Sequence, residues 1–287
     1  MNTINNTLQK KQETLVDYLN KDIIINHITK VVGKDTKRFI SSIISASTVN
    51  PELKECSKES ILSAALLGET LKLSPSPQLG QYYFVPFQSK YGKVAQFIIG
   101  YKGYLQLAIK TGFYKKINVI AIKEGELNYF DPLNEEIEVN IIKDYEAREK
   151  AETIGYYAYL EYMNGFRKAL YWSKSQMENH AIKYSTAYQS DVKKGSKFSF
   201  WSTNFEAMAY KTMLRQLLSK WGNLNPEMQM AIDGDMAVIH QDGTHEYIDN
   251  IVAEQDEKEE KQEINNIIQN KTIQSNEQMS IADALFS

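Results

Sequence analysis

Two cations lie one helical turn apart in a stretch that is otherwise apolar. Between Asn204 and Trp221, the residues Phe205, Met208, Ala209, Met213, Leu214, Leu217, Leu218 and Trp221 cover nearly the whole circumference of a helix. Only the side carrying Lys211 and Arg215 is plainly charged, and Lys220 projects elsewhere. Unpaired charge is costly to bury, so that side must meet water or an anion. A groove lined by Lys211 and Arg215 is preferred here over a plain solvent edge. A second polar stripe, Lys102, Gln106 and Lys110, follows from 100° spacing in a helix after Gly100, with Tyr101, Leu105 and Ala108 opposite. Lys115 and Lys116 lie just beyond it. Arg167 and Lys168 follow Asn164-Gly165 and so sit at a hairpin tip. Strand alternation puts these two on opposite faces, so at most one need point at a ligand. The chemistry open to all eight cations is contact with phosphate oxygens, although a short amphipathic surface helix explains the Lys102 stripe equally simply.

Bond-breaking chemistry finds little support. His27, His180, His240 and His245 are scattered, and one cysteine, Cys56, excludes a disulfide framework and a cysteine-based zinc site. No phosphate-cradling glycine loop of the GxxxxGK[ST] or GxGxxG type is present. Metal-dependent phosphodiester cleavage needs clustered carboxylates. The acids Glu124, Glu126, Asp131, Glu135 and Glu136 stand outside the basic stretches and read most simply as a solvated hairpin. No catalytic or metal-ligating set is therefore expected.

The charge is strongly segmented along the 287 residues, although the net is only −3. Residues 1–80 carry 10 basic and 8 acidic groups, residues 81–224 carry 20 and 14, and residues 225–287 carry 3 and 14. From Thr70 to Lys123 there are eight lysines and no Asp or Glu; from Asn164 to Lys220 there are ten bases and three acids. Two long cationic stretches are an electrostatic footprint for a polyanion, and tyrosines interleaved with the lysines offer stacking surfaces for bases. An ordinary solvated lysine face and buried sheet aromatics are the plainer alternatives. No apolar run approaches the roughly 18 residues of a membrane span and no signal peptide opens the chain. A soluble, cytoplasmic protein without a membrane partner is expected.

The elements that must position these cations mix helix and hairpin. Residues 1–32 read as a helical arm with Leu15, Val16, Leu19 and Ile23–Ile25 on its apolar side, suited to a neighbouring subunit. Helices are expected near Phe39–Ala46 and Lys58–Leu71, the second stopped by Ser74-Pro75-Ser76-Pro77. Gln81–Phe87 and Val94–Ile99 form a hairpin, the helix after Gly100 closes at Gly112, and Lys116–Ile122 is a strand. A further hairpin and a mobile loop near Asp144–Lys150 occupy the acidic stretch. Ile154–Met163 and Phe166–Trp172 flank the Asn164-Gly165 turn. Ser173 with Gln176, and Thr203 with Glu206, have capping-box spacing for two helices, with a loop over 185–199 between them. The fold class is α+β: a single core of antiparallel hairpins and sheet packed on helices over 33–230, with the arm at 1–32. Residues 231–287 are expected to be a largely disordered acidic tail.

With these elements in order, the residues resemble the RecT family of phage single-strand annealing proteins. Tyr83-Phe84-Val85-Pro86-Phe87, Gly100-Tyr101-Lys102-Gly103-Tyr104-Leu105-Gln106-Leu107-Ala108 and Thr111-Gly112-Phe113-Tyr114 with Ile117-Asn118-Val119 carry the resemblance. So do Asn164-Gly165-Phe166-Arg167-Lys168 with Tyr171-Trp172-Ser173-Lys174. The last block is Trp201, Phe205-Glu206-Ala207-Met208-Ala209, Lys211-Thr212 and Lys220-Trp221-Gly222. The five ordered blocks span about residues 33–230. The chain departs from the family at Leu71-Lys72-Leu73, where a glycine or small polar residue is expected between the leucines.

The resemblance implies a recombinase that anneals complementary single strands without ATP, and an α+β core flanking a positive groove. It also implies assembly into rings or helical filaments, with a phage exonuclease and a single-strand-binding protein as partners. No cofactor is required on this reading, and Mg2+ enters only as a modulator of annealing. Phosphate contacts are expected from Lys102, Lys110, Lys115, Lys116, Arg167, Lys168, Lys211 and Arg215. A passive single-strand-binding module and a metal-dependent nuclease are the rival readings. The tail is expected to be dispensable for pairing, its terminal Ile281-Ala282-Asp283-Ala284-Leu285-Phe286 serving either as a docking peptide or as part of a mere solubilising segment.

Overall fold

The polar N-terminal stretch folds back onto the molecule. In the computed structural model, which describes residues 13–89, 92–240, 242 and 244–246, α1 (Leu15–Leu19) opens on a capping box between Thr14 and Asp17. α2 (Asp22–Val32) follows it. Tyr18, Leu19 and Ile28 are buried in the same core as the helices after them. Part of the apolar side of the arm is thus covered by its own chain, while Val16 and Ile23 stay exposed at 44% and 75%. α3 (Thr36–Val49) and α4 (Lys58–Thr70) complete this layer. Beyond α4, Lys72 holds a left-handed backbone with φ 53°, a conformation that glycine adopts without strain. That is the position where the family pattern asks for a glycine or small polar residue.

β1 (Tyr82–Ser89) and β2 (Gly92–Ile99) form the expected antiparallel hairpin, with Tyr82 opposite Ile99. Alternation sends Tyr82 and Phe84 into the core and turns Tyr83 outward. α5 (Tyr101–Lys110) begins against the same segment. A side chain at Gly100 would meet the Gly80 carbonyl at 2.2 Å, and one at Gly103 would meet the Gln81 carbonyl at 2.1 Å. The glycines of Gly100-Tyr101-Lys102-Gly103 therefore allow α5 to start in backbone contact with residues 80–81. Gly112 follows α5 at φ 70°, as its sequence position suggested.

β3 (Tyr114–Lys123) belongs to a second antiparallel sheet. β4 (Leu127–Asp131) and β5 (Glu136–Val139) make the acidic hairpin. Residues 144–150, expected as a loop, contain α6 (Tyr145–Lys150), because Asp144 accepts from the Ala147 amide and caps it. β6 (Thr153–Tyr162) and β7 (Arg167–Ser173) flank the Asn164-Gly165 turn, and the sheet order is β3-β6-β7. α7 (Lys174–Tyr184) opens on the Ser173/Gln176 capping box.

Residues 185–199, also expected as a loop, form α8 (Thr186–Lys194) with Ser185 as its cap and Gly195 left-handed at its end. α9 (Phe200–Thr203) follows, so Thr203 closes one helix instead of capping the next. The long α10 (Phe205–Trp221) starts after Asn204. α11 (Pro226–Gly234), β8 (Val238–Ile239) and β9 (His245–Glu246) end the described chain.

α10 joins two apolar clusters. Leu214 and Leu218 belong to one, with the N-terminal helices, the β1–β2 hairpin and α5. Met208, Ala209, Met213 and Leu217 belong to the other, against the inner face of β6 and against α7 and α9. Ala231, Ala237, Val238 and Ile239 are buried, and Ala237 bridges Phe97 of β2. The ordered body therefore runs past residue 230, where the tail was drawn. The remainder of that acidic segment, 247–287, lies outside the described residues, as do residues 1–12.

One half-buried histidine links this core to pH. His180 packs against the rings of Trp172 (5.3 Å) and Tyr184 (4.5 Å). Burial pushes its imidazole down to about 4, and the charges of Arg215 and Lys183 act in the same direction. The unfolded chain takes up its proton near 6.5. Below that value the unfolded state binds a proton that the folded state does not, so stability falls as the pH drops from about 6.5 to about 4 and then levels. The shift corresponds to at most about 3 kcal/mol. Urea titrations across this window should show His180→Phe with a flatter stability profile than the parent. Identical profiles would place the acid sensitivity elsewhere.

Candidate nucleic-acid interface

The structure sorts the eight expected phosphate-contacting residues into two groups. Lys211 is only 3% exposed, and its ammonium bonds Asp235 Oδ1 at 2.8 Å. Arg215 approaches Asp235 Oδ2 at 3.7 Å and lies beneath the Ile232 carbonyl. The groove expected along these two residues is filled by α11 and the chain after it. The argument for an anion there holds, but the anion is internal. Asp235 also accepts from the Ile99 amide and the Tyr104 hydroxyl, tying α10, β2 and α5 together.

Lys110 bonds the Lys72 carbonyl at 2.9 Å at the end of α4, and burial, then the charge of Lys72, lowers its pKa. Lys168 bonds Glu135 and lies 4.5 Å over the Trp221 ring. Lys168 holds the fold together, whereas Lys110 bonds α4 from an exposed side chain. Lys102, Lys115, Lys116 and Arg167 are exposed as well. Lys115 bonds Glu161 at 2.8 Å, with Arg167 3.7 Å from the same carboxylate. Arg167 faces out and Lys168 in, as strand alternation required.

Lys102 lies near a cleft that the sequence did not show, outside its lining. Its aliphatic chain passes Gly80 beside the Tyr83 hydroxyl. Tyr83 meets Phe200 of α9 at 6.1 Å between ring centroids. From there a cleft of about 530 Å3 runs between the β1–β2 hairpin and the α8–α9 turn, lined by Val85, Phe87, Ile98, Lys194, Phe198 and Trp201 among others. Phe198 is 89% exposed and Phe200 39%. Lys194 lines the cleft with them, and Lys193 and Lys197 neighbour it in sequence, all three exposed and without an ion pair among the described residues.

A buried carboxylate preorganises this turn. Asp191 accepts from the Ser196 and Ser202 hydroxyls at 2.7 and 2.6 Å and from the Ser199 amide at 2.8 Å. The Phe198 amide donates to it as well, at 3.0 Å. The Ser202 bond first, then Ser196, hold its carboxyl well below the usual carboxylate range. The charge of Asp191 is thereby spent inside the turn, and the rim carries three lysines and two open rings. Exposed cations beside exposed aromatic faces can take phosphates and stack bases at once.

The acids of the 124–136 stretch serve the fold. Glu126 is buried, bonds Arg148 at 2.7 Å and accepts from the Lys123 amide. Burial would raise its pKa, but Arg148 and the backbone amides outweigh this and hold it below the ordinary value. Asp131 accepts from the Leu133 amide in the hairpin turn. No group of three or more histidine, cysteine or carboxylate side chains comes together to hold a metal among the described residues.

The sequence carried a faint signal for the cleft. The stretch 185–199 contains Lys193, Lys194 and Lys197 against the single acid Asp191, and it runs into Phe198-Ser199-Phe200-Trp201. Read as a plain loop, it offered no reason to single these residues out.

Comparison with known proteins places the chain in a family. The profile of the RecT family matches residues 37–246. The chain is 42% identical over 266 residues to the uncharacterized protein YqaK of Bacillus subtilis (strain 168), covering 90% of this chain and 85% of that one. It is 28% identical over 190 residues to Protein RecT of Escherichia coli (strain K12), covering 64% of this chain and 65% of that one. The chain belongs to the RecT family, whose members act in DNA recombination by annealing single strands. Among the described residues no helix is long and apolar enough to cross a membrane.

Proposed function

We propose that this protein binds single-stranded DNA and anneals complementary strands without ATP or any other nucleotide. The observation that carries this reading is the cleft, where exposed Lys194 and its sequence neighbours Lys193 and Lys197 accompany the open rings of Phe198 and Phe200, Asp191 is turned inward, and Glu52 is the exposed carboxylate of the lining. Two strands cannot pair until their phosphate repulsion is screened, and pairing then returns roughly 1.4 kcal/mol per stacked step. Cations along the backbone supply the screening. Because phosphate contacts carry no sequence information, binding tolerates any sequence. Mg2+ modulates annealing by adding to the screening. The working form is a ring or filament of identical subunits, acting in the cytoplasm beside a phage exonuclease and a single-strand-binding protein.

Mixing complementary labelled oligonucleotides with purified protein, without nucleotide, tests this reading. The annealing rate should rise well above the spontaneous one. A rate below the spontaneous one would identify a passive strand-binding protein. Magnesium-dependent fragments, abolished by replacing carboxylates, would identify a nuclease.

A further inference from the structure

The outer face of the β3-β6-β7 sheet carries a second aromatic and cationic surface, separate from the cleft. On β6, Tyr157 and Tyr159 project from this face with ring centroids 6.5 Å apart and planes inclined by 15°. With Lys115, Lys116, Ile117 and Asn118 they line an open depression of about 500 Å3. Arg167, 67% exposed, borders it on β7, opposite Glu161 in the register. The centroid spacing is close to two stacking steps of about 3.4 Å, the separation that one planar base inserted between face-to-face rings requires.

Next along this face of β6, beside Tyr159, lies Glu161, only 3% exposed. It accepts from the Lys115 ammonium at 2.8 Å and the Tyr159 hydroxyl at 3.1 Å, with Arg167 at 3.7 Å. The Lys115 bond, against the cost of burial, holds its carboxyl below the ordinary value. A carboxylate holding two exposed cations and a tyrosine hydroxyl occupies the place of an anionic oxygen. Lys116, beside it, is exposed and forms no ion pair among the described residues. On the far flank Glu135 of the β4–β5 turn is already paired with Lys168 and the Ala169 amide.

We propose that this face is a second nucleic-acid site. It holds an unpaired base between Tyr157 and Tyr159, with the neighbouring phosphates against Lys115, Lys116 and Arg167. Glu161 is a positioning residue that keeps Lys115 and Arg167 in place and competes with the incoming phosphate for them. The proposal rests on the reading of the protein as a single-strand binder, and it adds a place for a second strand segment.

The test uses full-length protein and an oligonucleotide carrying 2-aminopurine, whose fluorescence is quenched by stacking. Tyr157→Leu with Tyr159→Leu should remove most of the protein-induced quench and weaken binding about tenfold or more, since stacking is worth roughly 1–3 kcal/mol per base. Glu161→Gln should tighten binding and steepen the plot of log affinity against log salt by about 0.7 through one further phosphate contact. Lys116→Ala should flatten it by the same amount, and these two single variants decide the matter if the double leucine variant melts early. Unchanged quench, affinity and slope would overturn the proposal. So would a change confined to the sedimentation of the protein, which would make the face a contact between copies of the chain. Lys194→Ala with Lys197→Ala serves as the second arm. Loss of binding there alone keeps the cleft reading and removes this one, whereas loss at the tyrosines alone does the reverse.

Discussion

Replacing Lys211 by alanine should lower the stability of the folded chain by about 3–5 kcal/mol, the range for removing one partner of a buried ion pair. For a body of this size that is a fall in Tm of roughly 6–20 °C. The cause is Asp235, fully enclosed, which would keep its bonds to the Ile99 amide and Tyr104 hydroxyl but lose its closest cation. Arg215, 3.7 Å from the other carboxylate oxygen, should hold the loss toward the lower end. Replacing both partners, Lys211→Met with Asp235→Leu, should cost less than the sum of the single changes, because ammonium and carboxylate leave together. Arg215, the Ile99 amide and the Tyr104 hydroxyl lose Asp235 in both the single Asp235→Leu and the double variant. Thermal melting of the three variants checks this. Nucleic-acid affinity of Lys211→Ala, measured where the variant is folded, should match the parent. A variant that melted like the parent yet lost affinity would put Lys211 on the binding surface.

The second large effect is expected at the cleft rim. Lys102→Ala, Lys194→Ala and Lys197→Ala together remove three exposed cations, so stability should change by no more than about 0.5 kcal/mol per site. Each lost phosphate contact on a single strand flattens the plot of log affinity against log salt by about 0.7. Three contacts therefore change the slope by about 2. Carried from 1 M to 0.1 M salt, that slope amounts to about a hundredfold weaker binding at 0.1 M. Adding Phe198→Ala should weaken binding further without altering the slope, because stacking releases no counterion. An unchanged slope in the triple variant would remove the rim from the strand's path.

Sequence patterns were legible where the signal is local. The Asn164-Gly165 hairpin, the Ser173/Gln176 capping box and the glycine at position 112 each depend on neighbours within a few residues, and each stands where the pattern put it. α6 and α8 were not legible as helices because they are short and polar. Their starts depend on caps at Asp144 and Ser185, which are just as common in turns. The Thr203/Glu206 spacing matched a capping box but fell across the break between α9 and α10.

The cations show the limit most clearly. A stripe on a helix says which residues share a side and nothing about what lies opposite. The partner of Lys211 stands 24 residues away, that of Lys168 33 and that of Lys115 46. Taking residues 231–239 as tail and taking Lys211 as a groove residue were one error, since that segment delivers Asp235 to the buried ammonium. The family resemblance, by contrast, was fully legible, because it rests on ordered blocks and needs no knowledge of long-range pairing.

The most direct measurement is the annealing rate of complementary oligonucleotides in nucleotide-free buffer at 0.1 M salt. The parent protein would be compared there with the Lys102→Ala, Lys194→Ala, Lys197→Ala variant at equal folded concentration. Annealing on the cleft rim predicts strong acceleration by the parent and, in a variant of unchanged Tm, a rate near that of oligonucleotides alone. A variant that anneals as fast as the parent, or a parent that anneals only once ATP is added, would contradict it.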